Sequence, residues 1–128
     1  MKFISIYKNV ERNTPPSQEE MTTMGKLIEE GFKAGWLVAT EGCLPTAKGA
    51  RVRRSGNNIS VIDGPFTESK EVIGGFAILR ANSKAEAIEL AKQFLKLAGE
   101  GECELRQIYE HGAESIPCVD APEVALKA

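Results

Sequence analysis

The nine residues VIGGFAILR, positions 72–80, make the most hydrophobic strand candidate in the chain. Alternation gives this strand two apolar faces, with Val72, Phe76 and Ile78 on one and Ile73, Ala77 and Leu79 on the other. A strand apolar on both faces needs a cover on both. Its two adjacent glycines, Gly74 and Gly75, leave a bare place in the middle, which marks a bulge or the close approach of another backbone or a ligand.

Downstream, Ser83 and Glu86 form a capping box that opens a helix with the stripe Ala87, Ile88, Ala91, Phe94, Leu95 and Ala98, stopped by Gly99. Residues 103–109 make a final strand. Upstream, two short alternating runs at 50–54 and 59–62 flank the turn residues Ser55-Gly56-Asn57-Asn58 and read as a β-hairpin. Residues 36–41 read as a strand. Before it, Ser17 and Glu20 form another capping box, opening a helix with the stripe Met21, Met24, Leu27, Ile28 and Phe32 and the stop Gly35. Residues 3–8 alternate Phe3, Ser5 and Tyr7 against Ile4 and Ile6, as a first strand does.

The order is strand, helix, strand, hairpin, strand, helix, strand: an α+β, ferredoxin-like βαββαβ pattern with an inserted β-hairpin. Two helices cover one face of the sheet. The simplest cover for the other is a second copy packed sheet to sheet, so a homodimer is expected. Residues 1–111 are expected to form a single domain. Residues 112–128, with Pro117 and Pro122 and no clear period, read as a C-terminal arm or tail.

Composition narrows the function classes. The chain has 128 residues, 16 basic and 18 acidic, a net charge of -2 and no basic run, so no nucleic-acid partner is expected. It has no apolar run long enough to span a bilayer and no signal-peptide pattern at its start, which points to a cytoplasmic protein without a membrane partner. Its cysteines, Cys43, Cys103 and Cys118, are odd in number and lack C-x-x-C spacing, which argues against a disulfide scaffold and a structural zinc site. No metal-ligand cluster or phosphate-cradling loop is present in the sequence, and no cofactor is expected.

The stretch DGPFTESKEVIGGFAIL, residues 63–79, resembles the DGPF-domain branch of the YCII-related family, small members of the dimeric α/β barrel superfamily. GWLVATEGCLP at 35–45 supports the resemblance, which spans roughly residues 1–109. It implies a ferredoxin-like protomer and a sheet-to-sheet dimer. Members of the wider family carry a histidine on the first helix, proposed to act with an aspartate as a general acid/base dyad. Here Met24 aligns with that histidine, and the single histidine, His111, follows the last expected strand. The resemblance also implies a setting near extracytoplasmic-function sigma factors.

Two readings of Asp63 stand side by side. Its carboxylate either accepts backbone N–H groups in an Asx turn, or faces a cleft as a general base. Glu41 ends its strand before Gly42, and if that end lies beside Asp63 the two carboxylates push one pKa upward and form an acid/base pair. Glu68 and Lys70 fall on one side of an extended segment, where Lys70 can hold an anionic ligand that Glu68 orients. Arg51 reads either as part of a solvated strand face or as a second anion contact, and Gly74 and Gly75 leave room either for a ligand or for a closely packed helix. The expected function is therefore that of a homodimer binding a small anionic or aromatic molecule, with lyase- or isomerase-type acid/base activity. The alternative is a non-catalytic regulatory or interaction module.

Overall fold

Four strands make the main sheet in the computed structural model, which describes residues 1–11, 14–66 and 71–110. In chain order the elements are β1 (Lys2–Asn9), α1 (Gln18–Ala34), β2 (Leu37–Gly42), β3 (Ala50–Ser55), β4 (Asn58–Asp63), β5 (Val72–Arg80), α2 (Lys84–Ala98) and β6 (Glu102–Gln107). A 3-10 turn, Thr46–Lys48, lies between β2 and β3. The sheet order is β2-β5-β1-β6, antiparallel throughout. With two helices on one face, this is the expected ferredoxin-like arrangement. The hairpin β3-β4 forms its own two-stranded ribbon, closed by the pair Ser55 and Asn58. Among the described residues no helix is long and apolar enough to cross a membrane.

Both helices start where their caps dictate. The Ser17 hydroxyl accepts the Glu20 N–H at 3.1 Å, and the Glu20 carboxylate accepts the Ser17 N–H at 3.0 Å, so two otherwise orphaned donors are satisfied reciprocally. Gly35 ends α1 at φ +87°, a conformation that costs glycine nothing. At α2 the expected box is only half made. Ser83 accepts the Glu86 N–H at 3.2 Å, but the Glu86 carboxylate takes the Asn82 N–H at 3.3 Å.

The core lies between the sheet and the helices. Phe3, Leu37, Leu79, Ala81 and Ala87 form its buried centre, with Ile28 of α1 and Leu90 of α2 packed against it. Gly31 lets α1 sit close on the next strand, because a Cβ there would come within 2.9 Å of both Leu37 and Trp36. The predicted α1 stripe is wider than the observed contact: Leu27 is buried, whereas Met21 and Phe32 lie about half exposed at its margins.

Register fixes which residues share a face. Ser5 pairs with Ala77, and Phe3 with Leu79, so these four point toward the helices. Ile4 pairs with Ile78 and Ile6 with Phe76, which places those four on the opposite, open face. The ladder then slips between Tyr7 and Lys8: Tyr7 pairs with Gly75 and Lys8 with Ile73, leaving Gly74 as the extra residue of a β-bulge. The slip corrects the simple alternation. Ile73, not Val72, joins Phe76 and Ile78 on the open face, where it is 53% exposed.

Candidate functional site: a cavity between sheet and helices

A cavity of about 370 Å³ opens where the sheet floor is made of small residues. Ser5, Gly74, Gly75 and Ala77 form that floor, and Met24, Leu90, Ala91 and Phe94 of the helices close over it. The glycines are there because neighbours are too near for side chains. A Cβ on Gly75 would lie 2.7 Å from the Glu41 carbonyl oxygen, and one on Gly74 would lie 3.0 Å from the Asn9 side chain and 3.2 Å from the Tyr7 ring. Backbone and aromatic groups thus occupy the space above the bulge, and the cavity begins beside them.

Polar groups are few and sit on the strands. Ser5 is buried in mid-floor. The Tyr7 hydroxyl donates to the Glu100 carbonyl at 2.8 Å, and its ring meets Phe94 edge to face, with centroids 5.1 Å apart. Thr40 donates to the Phe76 carbonyl at 2.9 Å. Glu41 completes the wall at the edge strand β2. It pairs with Phe76, so its side chain belongs to the open-face row and borders the cavity at the rim, not on the floor. Beside the floor, burial pushes the Cys103 thiol up while its hydrogen bond with Ser5 pulls the other way, and the group stays protonated near neutrality.

A second, shallower groove of about 700 Å³ lies between the base of the hairpin and the far end of β1 and β5. Lys8, Lys48 and Arg51 line it together with Glu71, Phe66 and Ile73. The Arg51 guanidinium stacks 3.9 Å from the centre of the Phe66 ring. Lys8 bonds Glu104 at 2.8 Å, which holds the ammonium above its ordinary pKa and the carboxyl below its own, with Arg106 helping to lower the latter.

The residues expected from the sequence therefore separate. Glu41, Gly74 and Gly75 border the cavity, and Arg51 lines the groove. Asp63 borders neither; it is exposed at the end of β4, paired with Ala50, so Glu41 and Asp63 are not assembled as a pair around one cavity. Glu68 and Lys70 lie outside the described residues, as do His111, Cys118 and the segment 112–128. The Asx-turn reading of Asp63 is also corrected, because among the described residues nothing bonds its carboxylate. Backbone and neighbours hold the loop instead. The Gly64 N–H bonds the Gly49 carbonyl at 3.0 Å, and the Phe66 N–H bonds the Thr46 hydroxyl at 3.1 Å. The Glu11 carboxylate in turn accepts from both the Thr46 hydroxyl and its backbone N–H. Sequence reasoning passed over Ser5 and Tyr7. The available signal was a serine in a row that begins with the core residue Phe3.

Comparison with known proteins places this geometry in a family. The family model described as the YCII-related domain matches residues 1–111, including the whole of 63–79. A curated relative, Uncharacterized protein R00369 of Rhizobium meliloti (strain 1021), is 37% identical over 72 residues, 56% of this chain, and the chain spans 58% of that relative's length. Among solved structures, the 5-chloro-2-hydroxyhydroquinone dehydrochlorinase of Burkholderia phenoliruptrix AC1100, in complex with 2,5-dihydroxybenzoquinone, is 15% identical. That match covers 90% of this chain and 99% of the other, with a TM-score of 0.47.

Proposed function

This chain belongs to the YCII-related family, and we propose that it is a cytoplasmic, small-molecule-binding homodimer of the dimeric α/β barrel kind, whose ligand has a compact apolar or aromatic body. The observation that carries this reading is the cavity itself. Its volume of about 370 Å³ suits a single-ring compound, and its walls are apolar except for Ser5, Tyr7, Thr40 and Glu41. In an enzymatic form of this reading, Glu41 at the rim is the proton-transfer group for lyase- or isomerase-type chemistry. Asp63 is a second carboxylate that must reach the site from elsewhere in the assembly. Arg51 serves the anionic end of a ligand at the groove, and Lys70 and Glu68 are ligand contacts proposed from the sequence alone.

Trp36 lines the cavity and is the chain's single tryptophan, so its fluorescence reports occupancy. Titration with substituted phenols and benzoates should give saturable quenching. Ala77→Leu, which places a larger side chain on the floor, should weaken it at least about tenfold while costing roughly 1–3 kcal/mol of stability through overpacking. Binding unchanged in a folded Ala77→Leu protein, or no saturable signal from any compound, would sink the assignment. The second reading, a non-catalytic regulatory or interaction module in a sigma-factor pathway, is supported by Met24, which closes over the cavity at the position where the wider family carries its first-helix histidine.

A further inference from the structure

The hairpin β3-β4 is built the wrong way round for a ribbon that belongs only to its own protomer. Its register places Val52 opposite Val61 and Arg54 opposite Ile59, so Val52, Ile59 and Val61 share one face. That face is the outward one: the three side chains are 69%, 69% and 63% exposed. The other face carries Arg51, which is partly covered by its stack on Phe66. Two-stranded ribbons with an uncovered apolar face are marginal in water. Something else must lie on it.

We propose that the hairpin is a dimerisation arm, whose Val52, Ile59 and Val61 face packs on a second copy of this chain. The inference rests on the homodimer reading and adds to it a surface outside the main sheet. Two observations select a second copy as the occupant. First, the base of the hairpin and the open face of the sheet are on the same side: Arg51 and Ala50 share the groove with Lys8 and Ile73, which belong to the open-face row. A body that covers Ile4, Ile6, Phe76 and Ile78 therefore arrives beside the arm. Second, the sheet face is small. A stable interface takes about 800 Å² and 20–30 residues from each partner, whereas one face of this sheet is built from only about half the residues of strands 8, 6, 9 and 6 long. The hairpin contributes a contiguous strip that makes up the difference.

Sedimentation equilibrium on the full chain, from about 0.1 to 100 µM, tests the arm with three proteins. The wild type should be a dimer, Phe76→Asp on the sheet face should dissociate, and Val61→Asp should raise the dissociation constant at least about tenfold. Because Val61 is exposed in the protomer, Val61→Asp should keep the wild-type circular dichroism and, at concentrations where both are dissociated, melt together with Phe76→Asp. A wild-type dimer that Phe76→Asp splits and Val61→Asp leaves within about twofold overturns the arm while sparing the sheet-to-sheet dimer. A wild-type monomer at 100 µM overturns both, and leaves the hairpin face to a different protein.

Discussion

Gly64 has no room for a side chain: a Cβ built there would overlap the carbonyl of Thr46. That single close approach explains why the Asp63-Gly64-Pro65-Phe66 stretch is a structural device. Gly64 lets the chain lie against the Thr46–Lys48 turn, its N–H reaches Gly49, and Phe66 is then held by the Thr46 hydroxyl and stacked under Arg51. Gly64→Ala should therefore cost about 2 kcal/mol or more, because neither of the two backbones in contact can yield cheaply. Thr46→Val removes the hydroxyl that serves both Phe66 and Glu11 and should cost about 1–2 kcal/mol. Asp63→Ala, whose carboxylate bonds nothing among the described residues, should stay within about 0.5 kcal/mol of wild type. Urea denaturation of the three variants checks the ranking, and an Asp63→Ala loss as large as that of Gly64→Ala would reverse it.

At the scale of elements, the two helices differ in one testable respect. α1 begins with a reciprocal capping box and α2 with half of one. Ser17→Ala should cost about 1 kcal/mol, as cap removal commonly does. Glu20→Ala should cost a fraction of that by freeing the Ser17 N–H, and thermal melts of both variants measure the split. The α1 box and the Ser83 half of the α2 cap were readable in the sequence because they depend on four consecutive residues, whereas the Glu86 side chain turns to the Asn82 N–H instead. Also readable were the strand order and the hairpin, which alternation and turn residues specify locally. The side on which each β5 residue falls was not fully readable, since the extra residue at Gly74 breaks the parity that alternation assumes. The site was less legible still. Its floor is assembled from Ser5 of β1 and Gly75 and Ala77 of β5, under Ala91 of α2, and no local pattern announces that these small residues will meet. The Glu41 and Asp63 pairing presumed that two strand ends adjoin. The hairpin instead closes on itself, and Asp63 pairs with Ala50.

For the whole molecule, the decisive quantity is the cover required by the open face. Ile4, Ile6, Ile73, Phe76 and Ile78 stand there in each protomer, rimmed by Lys8, Glu104 and Arg106. A large apolar side chain gains about 1.5–3 kcal/mol on full burial, and most of these are already partly shielded by their neighbours. Five from each subunit therefore yield a gain of the same order as the ~4–15 kcal/mol of lost translational and rotational freedom. In the proposed homodimer the sheet face alone would therefore support association without making it tight, which is where the proposed arm would have its effect. The register also says which substitution breaks which structure. Phe76→Asp puts a charge on the open face and should leave a folded monomer, with native circular dichroism and half the wild-type mass by sedimentation. Ala77→Asp puts the same charge beneath the helices, beside Ser5, where an unpaired carboxylate costs several kcal/mol, and should unfold the protomer at room temperature. Should Phe76→Asp unfold the chain while Ala77→Asp merely separates it into folded monomers, the assignment of the two faces is reversed.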